Sequence, residues 1–470
     1  MIVSAAENRF YSSLQVQLFD LMSDSEAMRK KVVEVDIRAL QNYPYPFASW
    51  PLILSSERIK EIARFVELFP KVLLKVIKET FGNNAQALAN YVNEPLFICE
   101  MMLNMGVDPK DMLIRHDIII SGQKIKLLEV NAGSTIGGWQ LDWLAGNFLR
   151  VLQAFPETAL WNVKSRPIVE NLFAALLASI KRIKGPGATG NIVMAVMSAN
   201  QDNDEFVEDA ILFFYEQFRL ARKGSFPNGK LSICRNVSDL EFKPGGDVFM
   251  NGEIVDAFFI PVGDTMQGQD KLYYQLTSSS LRNKLVFPDS PHRLILGSKN
   301  LLALMHEALY KIELTDEERK LITENIPWGA KLNSKEANWQ SEKVELRPFL
   351  MEQQHRLVIK KAHSFQGLDV FIGKDCSPEE WQEIIEKYGD DNDWLVQEYC
   401  KPDAVSICHP QDGIVGARAV WGIFDFGNNY SGAFIRAATI GMNDGVINSA
   451  RGAIELFVME EAAQARKMVI

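Results

Sequence analysis

The chain has little of what marks a secreted, zinc-built or membrane-spanning protein. Its 470 residues include only five cysteines. These (Cys99, Cys234, Cys376, Cys400 and Cys408) are scattered and form no Cys-x-x-Cys pair, so neither a disulfide framework nor a zinc cage follows from them. Reduced thiols in a cytoplasmic protein are the expectation. The histidines (His116, His292, His306, His355, His363 and His409) show no HExxH and no paired spacing, which argues against a catalytic zinc. No apolar run approaches the roughly 18 residues of a membrane span. Glu7, Asn8 and Arg9 stand where a signal peptide needs its apolar core. Positive charge is also in deficit, with 50 Lys and Arg against 60 Asp and Glu and a net charge of −10. A protein built to hold a nucleic-acid backbone carries the opposite balance. No membrane and no nucleic-acid partner is expected.

What remains is an ordinary globular composition, 47% hydrophobic and 23% charged, long enough for two or three packed units. The first 110 or so residues read mostly as helix. Ile59, Ile62, Ala63, Val66, Phe69, Val72, Leu73, Val76 and Ile77 recur at three- and four-residue steps, and Pro70 is expected to interrupt that helix. From Met112 the pattern turns to strand, with Ile114–Ile120 and Lys124–Val130 flanking a turn at Ser121-Gly122. Helices are expected over Trp139–Phe155 and Ile168–Ile183. Gly185 to Gly190 reads as a linker, and an α/β pattern follows it. Beyond Leu294 lie a helix capped at Thr315 with Glu318, another started by Ser377-Pro378, and strands around them.

Four segments bear chemistry. In the first, Glu129 and Asn131 stand two apart at a strand end, followed by the loop Ala132-Gly-Ser134-Thr135-Ile-Gly137-Gly138. Side chains two apart share a face, and a carboxylate with an amide oxygen suits Mg²⁺, which takes few protein oxygens. Equally, they are polar residues that simply cap a loop. In the second, an apolar strand delivers Lys360, and a short loop with His363, Ser364 and Gly367 leads to a second strand at Asp369. Lys360 is either a phosphate contact or a solvated edge lysine; no Walker A loop is present. The third, Leu294 to Lys299, opens a helix where a lysine could meet an anion. The fourth is the strand Trp394 to Tyr399, which runs through Gln397, Glu398 and Cys400 to Pro402. It could offer backbone groups to an adenine edge and Glu398 to a ribose, or be a plain edge strand. No residue stands out as a nucleophile; Cys376, before a helix cap, is the nearest to one, and His363 is the histidine closest to this chemistry.

Together and in this order, the segments resemble the circularly permuted ATP-grasp superfamily. The likeness is to eukaryotic-type glutathione synthetases and glutathionylspermidine synthetase-like ligases. "KLLEVNAGSTIGG" is similar to the family's metal segment, which implies Glu129 and Asn131 as Mg²⁺ ligands. "LGSK" and "VIKK" are similar to its phosphate-binding lysine segments, which implies Lys299 and Lys360. "VQEYCKP" is similar to the adenine hinge, implying ATP contacts for Gln397, Glu398 and Cys400, with Gly367 and Asp369 in the loop before it. Arg115 and Arg436 match substrate-binding arginines, and Ser134 and Thr135 join them as substrate contacts. Lys299, Lys360 and Arg436 would be the catalytic set.

The resemblance implies an α/β (α+β), ATP-grasp-like fold. A helical region with the metal-binding hairpin would span 1–184, an inserted α/β substrate unit 191–293, and a nucleotide-binding region 294–470. It implies a homodimer using ATP and Mg²⁺ to join a small-molecule carboxylate to an amine. Departures accompany it. Ser364 replaces a third acidic metal ligand, for which Asp369 could compensate; Val420 replaces an acid near the nucleotide; Ala438 replaces a lysine. An arginine is missing after Phe258-Phe-Ile-Pro261. The substrate is therefore expected to differ from that of glutathione synthetase. Phosphate transfer without ligation, or a nucleotide-binding regulator without activity, are the other readings.

Overall fold

The computed structural model describes residues 11–24, 43–197, 204–261, 268–364, 369–441 and 445–462. An eight-stranded sheet forms the centre. Its strands lie in the order Leu52–Leu54, Ile454–Glu461, Tyr430–Thr439, Gly413–Phe426, Leu113–Ser121, Lys124–Ala132. Ala404–His409 pairs beside Gly413–Phe426, and Val163–Lys164 beside Ile454–Glu461. The pairings are antiparallel except for Leu52–Leu54, which runs parallel to Ile454–Glu461.

The helix Ser56–Phe81 runs unbroken through Pro70. A proline in a helix interior costs about 3 kcal/mol. Ile62, Phe65, Val66, Phe69, Val72, Leu73, Val76 and Ile77 are all buried, each contributing about 1.5–3 kcal/mol for the larger side chains, so packing outweighs the defect. Ser55 caps its start by accepting from the Arg58 N–H at 3.2 Å. Phe65 and Phe69 meet the ring of buried His116 edge-on, which seats the helix on the central sheet.

The hairpin turns one residue later than expected, at Gly122-Gln123, both with positive φ, the conformation two-residue hairpins favour. The Asp403 carboxylate accepts from both turn N–H groups, at 2.8 and 2.7 Å. A bulge then decides which side chains face the site. Ile118 pairs with Leu127 but Asp117 with Glu129, so Leu128 is unopposed. Leu127 is buried in the core. In a regular strand Glu129, two residues on, would face that core too; the extra residue turns it to the opposite side.

Among the described residues four smaller sheets accompany the central one, one of them the two-stranded hairpin of Glu336–Trp339 and Glu342–Glu345. Gly329–Lys331, Trp394–Glu398, Leu357–Lys361 and Val370–Ile372 form an antiparallel sheet. Its own apolar cluster includes Trp381 of the helix Pro378–Tyr388, which starts with the Ser377–Glu380 capping box. The Thr315–Glu318 capping box is also formed. A parallel sheet of Ala257–Phe259, Ile192–Ala195 and Leu231–Cys234 follows the linker, with a three-stranded meander beside it. The stretch expected as one helix from Trp139 begins as a 3-10 segment, Trp139–Leu144, and continues as the α-helix Ala145–Ala154. Among the described residues no helix is long and apolar enough to cross a membrane.

Candidate active site

A cleft with about 940 Å³ of empty space, open solvent included, lies between the central sheet and the small antiparallel sheet. Asp117, Leu128, Glu129, Val420 and Arg436 come to it from the central sheet. Val358, Lys360, Val370, Ile372 and Gln397 come from the small sheet, and Lys299 and Ser364 from the segments between. Glu398, Tyr399, Cys400 and Pro402 form one rim, and Gly445 to Asn448 another. Residues more than 300 positions apart thus line one space. Its walls are part apolar and part cationic.

Lys360 is the penultimate residue of the Leu357–Lys361 strand and is 8% exposed. Its ammonium donates to Gln397 Oε1 at 2.8 Å. Burial, chiefly, lowers its pKa to about 8, with the neighbouring Lys299 adding to the fall and Glu129 opposing it. A buried ammonium whose described partner is a neutral amide attracts an anion. Lys299, where the helix Asn300–Ala308 begins, points its Nζ at Glu129 Oε2 (3.2 Å) and at the Ser364 carbonyl (3.4 Å). Gln397 Nε2 is buried without a protein partner, so one more donor is available there.

The second charged group was only half legible in sequence. Asp117, 2% exposed, is gripped by Arg115 through Nε (2.7 Å) and Nη2 (3.0 Å) and by Arg436 through Nη2 (2.6 Å). Burial alone would raise the Asp117 pKa; the two guanidiniums outweigh it and hold the carboxyl well below the usual range. Both guanidiniums lie 5.5 Å from the centre of the Phe434 ring. Gly422 makes this possible, since a Cβ there would run into that ring and come within 3.0 Å of Arg115 Cδ. Glu455 sits opposite Arg436 in the sheet and accepts from Tyr43 (2.9 Å) and Ser449 (2.6 Å). The alternation in Arg115-His-Asp117 was the available signal for Asp117; nothing in sequence pointed to Phe434 or Glu455.

The other expected residues lie as follows. Asn131 is opposite Arg115, donating to its carbonyl at 3.5 Å, two pairs beyond Glu129. Ser134 and Thr135 are engaged away from the cavity. Ser134 is bonded to Asp289 through its N–H (2.7 Å) and hydroxyl (2.5 Å), and Thr135 donates to the Ile260 carbonyl at 2.8 Å. Asp369 accepts the Lys361 N–H through its carbonyl at 3.1 Å and does not line the cavity. Gly367 lies outside the described residues. The N–H groups of Glu398 and Tyr399 are taken by Trp328 and Arg356, which leaves the side chain of Glu398 and the stretch from Cys400 facing the rim. Burial pushes the Cys400 thiol up to about 11, so it is no nucleophile at neutral pH. His363 Nε2 lies 3.1 Å from Glu94 Oε1 without a hydrogen bond to it, and burial lowers the His363 pKa.

As a donor set this fits a nucleotide: apolar walls for a base and buried lysines for phosphates. For a cation it offers the Glu129 carboxylate; Asn131, expected as the second ligand, is not among the residues that line the cavity. Among the described residues no cluster of three or more His, Cys, Asp or Glu is present, so the set suits an ion that keeps its waters and phosphate ligands.

No protein-family model matches this chain, and no curated protein is similar to it in sequence. Solved structures are similar in fold. A glutathione synthetase-like effector from Globodera pallida, in its apo form, aligns with TM-score 0.55 at 12% identity. The alignment covers 97% of this chain and 99% of that one. The chain therefore has a mixed α/β fold like that of this glutathione synthetase-like structure.

Proposed function

We propose that this protein is an ATP-dependent carboxylate–amine ligase of the circularly permuted ATP-grasp kind, cytoplasmic and homodimeric, acting on amino acid, peptide or polyamine substrates. The observation that carries the reading is the meeting of Glu129, Lys299, Lys360 and Arg436 around one cavity. Mg·ATP would supply the γ-phosphoryl group that turns a substrate carboxylate into an acyl-phosphate, which an amine then attacks. Glu129 and Asn131 would hold the metal. Lys299 and Lys360 hold charge against the phosphate oxygens, in a site where positioning and electrostatics do most of the catalysis. Arg115 and Arg436, both held by Asp117, would bind the substrate carboxylate; Arg436 lines the cavity with its Nε buried and without a partner, whereas Arg115 is bonded to Asp117 and the Gly137 carbonyl. Gln397, Glu398 and Cys400 border the nucleotide.

The test is ADP release measured over amino acids, short peptides and polyamines, with product masses read out. Amine-dependent ADP formation is expected, and Lys360→Ala should slow it by roughly a hundredfold or more. Near-normal turnover in that variant would remove Lys360 from the mechanism. One feature favours a second reading, a nucleotide-binding regulator: Ser364 lines the cavity where the resemblance implies an acidic ligand. ATP binding with no ADP formed from any acceptor would support it. ADP formation without an amine would indicate a phosphotransferase instead.

A further inference from the structure

At the floor of the cavity a group suited to a metal and a group suited to a phosphate are bound to each other. The Glu129 carboxylate lies 3.2 Å from Lys299 Nζ, with the lysine side chain 7% exposed and the glutamate 33%. The other cations nearby feel the charge of Glu129 but form no described ion pair with it. Lys360 donates to Gln397, and Asp117 is held by Arg115 and Arg436. Glu129 therefore depends on Lys299 for its one described ion pair, and Lys299 on Glu129. A phosphate oxygen that takes the ammonium deprives Glu129 of its ion-pair partner. A divalent cation that takes the carboxylate does the same to Lys299. A partly buried charge left unpaired is costly, so binding either ligand alone is penalised and binding both is not.

We infer that the Lys299–Glu129 ion pair couples metal and nucleotide binding, each ligand freeing the group the other needs. This rests on reading the cavity as a Mg·nucleotide site. By linkage the enhancement is equal in both directions.

The full chain is titrated calorimetrically with ADP, in EDTA and in excess Mg²⁺, and with Mn²⁺ alone by electron paramagnetic resonance. Glu129→Gln should tighten ADP binding in EDTA by about threefold to tenfold and abolish its dependence on metal. Lys299→Met should tighten Mn²⁺ binding without nucleotide by a similar factor. In the Lys299→Met background, adding Glu129→Gln should recover less than half of that gain on a logarithmic scale, the signature of a pairwise contact. A gain of the same size with and without Lys299 would mean simple repulsion between Glu129 and phosphate, and overturns the coupling. So does unchanged Mn²⁺ affinity in Lys299→Met, which decides the matter where that variant holds ADP too weakly to measure. If the unmodified chain binds no ADP in either buffer, the nucleotide reading itself fails, a result distinct from either of these.

Discussion

Asp117 is the side chain on which the two arginines depend. Arg436 is buried beside it and Arg115 half-buried, each 11% exposed at the side chain. Removing the carboxylate leaves two like charges close together without the group that bonds both. Asp117→Ala is therefore expected to cost about 3–5 kcal/mol, measured by urea unfolding. Its pKa is depressed in the folded state, so the stability it adds is present above the ordinary carboxylate range and is lost only as pH falls below it. Lys360 behaves differently. With a folded-state pKa of about 8 it is charged below that value and neutral above it. Metal-free ADP affinity should fall by up to about tenfold between about pH 7 and pH 9, and Lys360→Met should flatten that profile. Calorimetry at the two pH values checks it; an unchanged slope in the variant would assign the titration to another group.

At the scale of elements, local features were the legible ones. The hairpin around Gly122, the capping boxes at Thr315 and Ser377, and the shared face of Glu129 and Asn131 all depend on residues within a few positions of each other. The bulge at Leu128 was not legible, because it exists only relative to the partner strand. Nor was the continuity of the helix through Pro70, which depends on the sheet packed against it. Gly422 is a similar case: its role is set by Phe434 and Arg115 on the two neighbouring strands. Gly422→Ala is expected to destabilise the fold by about 1–3 kcal/mol through overpacking, and to disturb the arginine pair more than the lysines. Unfolding midpoints together with ADP titration would separate the two effects; weakened ADP binding at unchanged stability would count against this account.

For the whole molecule, the strand Gly413–Phe426 is the axis. Along its length it pairs with Ala404–His409, Tyr430–Thr439 and Leu113–Ser121. Its amides from Ala419 to Phe424 are expected to exchange slowest with solvent. Those of the isolated hairpin Glu336–Trp339 and Glu342–Glu345 should exchange among the fastest. Exchange mass spectrometry tests this ordering, and fast exchange at Ala419–Phe424 would place the stable core elsewhere.

The sequence by itself determined the class of elements, their order, and which polar residues stand at strand ends, since each depends on short-range periodicity, caps and turns. It also placed Glu129 and Asn131 ahead of Lys299 and Lys360 along the chain. Only the tertiary structure decided that these residues meet. The central sheet joins Leu113–Ala132 to Ala404–Glu461, and no local preference specifies a pairing across about 300 positions. The same folding occupied the hydroxyls of Ser134 and Thr135, gave Asp117 two arginines, and set Lys299 against Glu129. Charges and hydroxyls take whichever partner burial brings within reach, and that partner is a property of the packed molecule.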